Sequence, residues 1–471
     1  GVAPPHVPRP DDKNRRASLR GLRYVARTLF TRSVSEIDAD RGYVTRRLSS
    51  LGAPETLSDG ELAHRFDSLL EDFGELFTRH LVISGKAGAM VATLAGFCED
   101  RLGDRSLALT MLGGLGEVDS ATPSFELWDL GRMVAADPHL RACFDAGIDG
   151  LWSRLRADAD AGTFVEACEQ FLRRHGARGP NEWESACDTW GTNPDLALAL
   201  VDRMRGADPR QAPADRSAQL AARRREAVVE ARAQLRRPTR WLFERLVAAA
   251  AMYTQARERT KTTVIQAIHA IRVSNRELGR RLAERSGGRP DDLYFVLRDE
   301  LDIFIADPTA FAEVIAQRRV TRDALGERIP PFTFDGVMPP ADTWPLRDDT
   351  TDGVRAGVLL EVGEAMLGVA GCPGVAEGRA RVVLDPAHPG NLGPGDVLVA
   401  PLTDLAWTPL FVPAEAVVVD VGGQMSHAVI VSRELGLPCV VAATDATARI
   451  PDGALIRVDG AAGSVTVLEL P

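Results

Sequence analysis

Up to about residue 330 the apolar positions recur at helical spacing. Leu62, Phe66, Leu69, Leu70, Phe73, Leu76 and Phe77 fall three and four apart and predict a helix over 62–77. The same spacing covers 164–172. A charged, alanine-rich run over 216–235 reads as a helix that ends before Pro238, and a very long helix is expected over 240–284, stopped by Gly287, Gly288 and Pro290. Residues 206–213, rich in Gly, Asp and Pro, read as a loop between helices. From Ile329 to about Gly353 the character changes. Pro330, Pro331, Pro339, Pro340 and Pro345 stiffen the backbone into an extended, semi-rigid linker. Short β-branched runs follow at 380–384, 397–400, 416–419, 439–442, 455–458 and 465–468, and these read as strands. The expected fold class is therefore multidomain, α + α/β. A large, mostly α-helical N-terminal domain occupies 1–330, a Pro-rich linker or hinge 331–365, and a β/β/α domain 366–471.

Composition narrows the function classes. A chain of 471 residues suits two or three domains, and 26% charged with 45% hydrophobic residues is ordinary for a globular protein. A net charge of −10 argues against nonspecific nucleic-acid binding. No run is expected to span a membrane, so no membrane is expected. The start, Gly1-Val2-Ala3-Pro4-Pro5-His6, has no hydrophobic signal core and no initiator Met, so the expectation is a trimmed chain or a piece of a longer one. Six cysteines without a Cys-x-x-Cys spacing, and no metal-ligand cluster in the sequence, point to reduced thiols, a cytoplasmic protein and no metal.

The most specific chemistry lies near the C-terminus. Ala416 to Val419 reads as a buried strand, Gly422-Gly423 as a tight turn with positive φ, and Ser426 as a helix N-cap. Val429, Ile430 and Leu435 suit a short helix that Gly436 and Pro438 stop. His427 thus falls in a first helical turn. Free N–H groups and the positive dipole end there favour an anion, such as a phosphorylated imidazole, and disfavour imidazolium. The bland alternative is a neighbour of the cap with no chemistry.

This stretch resembles the mobile phosphohistidine domain of the phosphoenolpyruvate-utilising dikinases. These share Gly-Gly-x-x-(Ser/Thr)-His-x-x-(Ile/Val)-x-x-Arg-Glu-x-Gly-x-Pro, which Gly422, Gly423, Ser426, His427, Ile430, Arg433, Glu434, Gly436 and Pro438 fill. Residues 372–383, 395–400 and 403–410 extend the likeness. In the helical part, 171–184 with Trp190, 257–263 and 291–301 are similar to the substrate-binding domain of rifampin phosphotransferase and related pyruvate-phosphate-dikinase-like proteins.

The resemblance implies a swivelling domain whose His427 accepts the β-phosphoryl of ATP and passes it to a mostly apolar small-molecule acceptor, at a hydroxyl or carboxylate. ATP and Mg²⁺ would be bound by an ATP-grasp domain or subunit. Nothing in this chain resembles one, so it is expected to be truncated away, separate or lost. The chain also stops too soon after His427 for a phosphoenolpyruvate/pyruvate barrel. Gly422, Gly423, Ser426 and Arg433 would contact phosphate, although an Arg-Glu pair on a short helix equally makes a solvated face or a domain contact. Arg257 and Lys261, four apart on one helix face, would straddle the phosphoryl group, or form a salt-bridged surface with Glu258. His175, Arg178 and Glu182 would wall the acceptor pocket, or simply join two helices. His80, ahead of Ser84-Gly85-Lys86-Ala87-Gly88, is given a structural role, because that segment is not a Walker loop. Two other outcomes stay open: a synthetase that uses the phosphate only to activate a substrate for condensation, and a non-catalytic scaffold.

Overall fold

The computed structural model describes residues 15–471 except 32, 117, 208, 210–211, 332–333, 347–358 and 387. Much of the linker expected over 331–365 therefore lies outside the described residues. Helices fill the N-terminal part and a mixed sheet the C-terminal part, as the period change predicts.

Two long helices form the spine. α1 (Asp59–Leu102) opens on a reciprocal capping box between Ser58 and Glu61 and closes on Gly103 at φ 76°. It runs well past the 62–77 expected, because the apolar stripe continues through Ile83, Ala87, Met90, Val91, Leu94 and Cys98. Between them come α2 (Thr122–Ala136), α3 (Pro138–Asp145), α4 (Gly162–His175), α5 (Asp195–Arg205) and α6 (Pro213–Gln234). α7 (Arg237–Ser286) has 50 residues, with Pro238 in its first turn and Gly287 at φ 72° as its stop. It packs along α1, where Phe243, Leu246, Ala250 and Tyr253 meet Met90, Leu94 and Cys98 in the largest core. α1 is also long and apolar enough to cross a membrane by length and composition, against the expectation of no such run. In the fold its apolar stripe faces α7.

The C-terminal sheet runs β1 (Ala365–Leu367), β2 (Val369–Cys372), β3 (Val375–Val382), β4 (Asp396–Ala400), β5 (Ala416–Val419), β6 (Cys439–Val441), β7 (Leu455–Asp459) and β8 (Ser464–Glu469). Its order is β1-β8-β7-β3-β4-β5-β6-β2, with β3 to β6 parallel. Only Gly368 separates the first and last strands of that order, so the sheet curls on itself. β1 and β2 lie outside the expected strands, because their short runs carry little periodicity. Side chains alternate between two cores. Val397, Val399, Ala416 and Val418 face one, and Leu398, Ala400, Val417 and Val419 the other. The second core is covered by α8 (His427–Leu435), so the helix that carries the histidine is pinned by Val429, Val431 and Leu435.

Two helical glycines make opposite demands. A Cβ on Gly131 of α2 would lie 2.8 Å from the Met204 Cβ and 2.9 Å from the Arg205 N of α5, whereas one on Gly96 of α1 would meet nothing within 4 Å. Alanine is the better helix former by about 1 kcal/mol, but overpacking costs about 1–3 kcal/mol. We expect Gly131→Ala to lower stability by about 1–2 kcal/mol and Gly96→Ala to raise it by up to about 1 kcal/mol. Urea unfolding of both variants checks the signs, and a stabilising Gly131→Ala would contradict the close α2–α5 contact.

Candidate active site

β5 delivers the chain to the turn that precedes α8. Val421 N donates to Pro401 O at 3.1 Å and Asp420 Oδ1 accepts from Thr447 N at 2.8 Å, which anchors the turn against its neighbours. Neither Gly422 nor Gly423 has positive φ, contrary to the expectation of a left-handed turn. Gly422 is needed for space instead, since a Cβ there would lie 3.0 Å from Ser426 Oγ and 3.1 Å from Val441 Cβ, while Gly423 faces open space. Ser426 has the extended N-cap backbone, and its C=O accepts from Ile430 N at 3.0 Å. Its hydroxyl makes no capping bond and stays buried without a partner, which corrects the simple cap reading.

His427 is the first residue of α8 and is half-buried. Its Nδ1 lies 3.2 Å from Thr403 Oγ1, its Nε2 lies 3.3 Å from Thr408 Oγ1, and the Phe411 ring meets it edge-on with centroids 6.0 Å apart. Burial first, then the positive charge of Lys261, pulls its pKa down to about 3. Glu182, Glu258 and Arg178 are the other charges that act on the ring. All four come from the helical part, so this is one site built from two domains.

Those charges are tightly paired. Lys261 Nζ lies 2.8 Å from Glu182 Oε1, and Arg178 Nη1 donates to both Glu182 oxygens at 3.1 Å. The Arg178 and Glu182 side chains are each only 4% exposed. Glu258, fully buried, binds Ser120 Oγ and Arg257. Both carboxyls are held below their ordinary range because the adjacent cations outweigh the effect of burial. The 178–182 loop also touches the sheet domain directly, where Asn181, at φ 51°, donates its N–H to Asp404 Oδ2 at 3.0 Å. Beside it, Trp183 lies 6.0 Å from the Phe77 ring and 6.1 Å from His80, and it is 41% exposed. These rings form an apolar wall next to Glu182.

The structure brings together His427, Lys261, Arg178 and Glu182, with Ser426 and Gly422 in the adjoining turn. Arg257 pairs with Glu258, and its charge acts on His80. His175 packs on Phe171 and lies 3.2 Å from Glu126 on α2, which places it in the wall of the helical domain. Arg433 is buried at the far end of α8, about 9 Å along the axis from His427, and its Nε donates to Gly371 O at 3.1 Å. Its backbone carbonyl accepts from Gly114 N at 3.2 Å, so its position is a domain contact. His80 is buried, with Nδ1 2.9 Å from Thr260 Oγ1. Sequence reasoning gave no role to Thr403, Thr408, Asp404 or Ser120. The two threonines lay inside the 403–410 likeness, and that was the signal available. Away from this cluster, and against the expectation of no metal-ligand group, His139, Cys143 and Asp158 come within 4.8 Å of one another.

Comparison with known proteins finds likenesses in both the helical and the sheet part of the chain. Residues 80–258 match the family described as rifampicin phosphotransferase fourth domain, and residues 392–463 match the PEP-utilising enzyme mobile domain. An uncharacterized protein of Mycobacterium tuberculosis is 35% identical over 312 residues, 66% of this chain and 32% of its own length. A rifampicin phosphotransferase of Streptomyces sviceus is 28% identical over 452 residues, covering 91% of this chain and 49% of its own. The prodigiosin synthesizing transferase PigC of Serratia marcescens is 26% identical over 449 residues, covering 92% and 48%. The chain thus spans about a third to a half of the length of these curated relatives.

The ring gives a pH test of docking. In the docked arrangement its pKa is about 3, against 6.5 for an ordinary imidazole. The released state therefore binds more protons, and acidification from about 6.5 to 5 favours release of the sheet domain. Asp404 and Glu434, raised by burial, titrate with the opposite sign. His427→Gln removes the imidazole contribution and leaves theirs. We expect interdomain fluorescence energy transfer to fall more steeply with acid in the wild type than in His427→Gln. Superimposable curves would show that the ring is not sequestered at the domain junction.

Proposed function

We propose, for a chain that belongs to the phosphotransferase family in which a rifampicin-phosphotransferase-type helical domain precedes a PEP-utilising mobile domain, that His427 carries a phosphoryl group and delivers it to an acceptor held against α7 and the 178–182 loop. The observation that carries this reading is the neutral imidazole at a helix N-terminus, seated over Lys261, Arg178 and Glu182 of the other domain.

The ring is unprotonated at neutral pH and thus a competent nucleophile. Thr403 and Thr408 hold one nitrogen each and fix its orientation. Loading happens with the sheet domain turned away, at an ATP-grasp domain or subunit outside this chain that binds ATP and Mg²⁺. There the imidazole takes the pyrophosphoryl group as AMP leaves, and water then removes the γ-phosphoryl as phosphate, so the β-phosphoryl stays on the ring. The 331–365 segment is the hinge. On return, Lys261 and Arg178 neutralise charge on the transferring group. The N–P bond breaks, an O–P bond to the acceptor forms, and the acceptor's hydroxyl proton is recovered by the ring. Phe77 and Trp183 suit an acceptor with an apolar, flat body. Six unbridged cysteines fit a cytoplasmic setting.

Likeness to PigC over 92% of the chain favours a second reading, in which the phosphate activates the acceptor and another nucleophile then displaces it. A stable phosphoester supports the first reading. Free phosphate with a condensed product supports the second.

The test is transfer of label from [β-³²P]ATP in the presence of an ATP-grasp donor. We expect acid-labile label on His427 that His427→Ala abolishes. With rifampicin, the acceptor in the name of the Streptomyces relative, as the first one tried, Lys261→Met should keep the label yet discharge it about 10²-fold more slowly. Wild-type protein that takes no label from a competent donor overturns the carrier role.

A further inference from the structure

The reactive centre leaves unexplained a second group of ligating atoms, on the side of the helical domain built from α2 to α5. His139 and Cys143 stand four apart on α3 and so project from one face. Asp158 caps the short turn Ala159–Ala161 that leads into α4. His139 Nε2 lies 2.6 Å from Asp158 Oδ2, and Cys143 Sγ lies 3.9 Å from each of those two atoms.

An ion pair between His139 and Asp158 needs only two partners. It gives no reason for a thiol placed equally far from both. A metal ion does. The point equidistant from three atoms 2.6, 3.9 and 3.9 Å apart lies about 2.1 Å from each, and zinc bonds to imidazole, carboxylate and thiolate are about 2.0–2.3 Å long. The mixed nitrogen, sulfur and oxygen donor set suits a borderline-soft ion and excludes calcium or magnesium, which take oxygen. Both carriers are also held in place by backbone. Asp137 Oδ1 accepts from His139 N at 2.8 Å and from Leu140 N at 3.3 Å, fixing the first turn of α3. Asp158 Oδ1 accepts from Asp160 N at 3.0 Å, which leaves Oδ2 free to act as a single-oxygen ligand.

We propose that His139 Nε2, Cys143 Sγ and Asp158 Oδ2 form a zinc site, with water in the fourth position. Binding displaces the thiol proton and the proton shared by His139 and Asp158, and the short His139–Asp158 edge opens towards tetrahedral spacing. The ion clips α3 to the turn that starts α4. α4 in turn leads through His175 into the 178–182 loop, so the clip braces the segment that presents Arg178 and Glu182.

The test uses the full chain, stripped with chelator and titrated with Zn²⁺ and with Co²⁺ as the spectroscopic probe. One equivalent should bind, and Co²⁺ should give a thiolate-to-metal charge-transfer band that Cys143→Ser abolishes. Affinity should fall at least about tenfold in His139→Ala and in Asp158→Asn. Zn²⁺ should raise the melting temperature of the wild type and not that of Cys143→Ser. Circular dichroism of the metal-free variants establishes that they fold, which these partly exposed positions allow. No binding, a bound Co²⁺ without the thiolate band, or a band that survives Cys143→Ser would each overturn the site and leave a plain His–Asp ion pair.

Discussion

The structure turns on a buried balance of charge. Arg178, Glu182, Glu258 and Lys261 sit under a half-buried imidazole, with little water to screen them. An isolated charge in such a place is costly, and pairing with good hydrogen-bond geometry is what makes it tolerable. Here each carboxylate has its cations: Glu182 holds Lys261 and Arg178, and Glu258 holds Arg257 with the Ser120 hydroxyl. Burial first, and then the positive charge of Lys261, keeps the ring neutral at the junction, while Glu182 and Glu258 pull the other way.

The two halves that meet there are built differently. The helical side is rigid, because α1 and α7 share a long apolar seam and Arg257, Glu258 and Lys261 lie in the middle of a 50-residue helix. The sheet side has its own two cores and needs little from its neighbour. Between them polar and apolar contacts both occur. Gly114 N reaches Arg433 O at 3.2 Å, Leu115 N reaches Glu434 Oε1 at 3.2 Å, Arg216 Nη1 reaches Val412 O at 3.2 Å, and Asn181 N reaches Asp404 at 3.0 Å. Arg203 Nη1 also reaches Pro386 O at 2.7 Å, and apolar contacts form around Ile430 and Val412, at Met425 against the helical core and between Leu220 and Gly436. Backbone groups of this sort bond equally well to water, so they specify the docked pose at modest cost to separation.

What the sequence made legible was local. The strand at 416–419, the helix start at His427 and the stop at Gly436 depend on neighbours a few residues apart, and the helical period continues wherever the core does. The β1–β2 pair was invisible because three- and four-residue strands joined by one glycine have no period to detect. The spacing of Arg257 and Lys261 placed both on one face of α7, yet spacing cannot say what lies opposite. Glu258 pairs with Arg257, and Arg178, from a loop almost 80 positions upstream, is a cation whose charge acts on the ring while it pairs with Glu182. Arg433 shows the same limit. Its position in the motif suggested phosphate, but one helix places His427 at the N-terminal end and Arg433 near the C-terminal end, where the backbone favours a buried cation instead.

The paired charges also bear on how a carrier could leave its seat. In the unloaded, docked arrangement Lys261 is paired with Glu182. A phosphoryl group on His427 would add about two negative charges next to two carboxylates. It becomes favourable only when Lys261 and Arg178 turn from Glu182 to the phosphate. Glu182 then competes with the phosphoryl group for the same cations, and the loaded ring is bound less firmly than the cations alone would suggest. Transfer relieves the competition, because the charge leaves with the acceptor and the Glu182–Lys261 pair re-forms. If His427 carries phosphate as proposed, Glu182 would keep the loaded state from being a trap, and its burial between two cations would serve delivery.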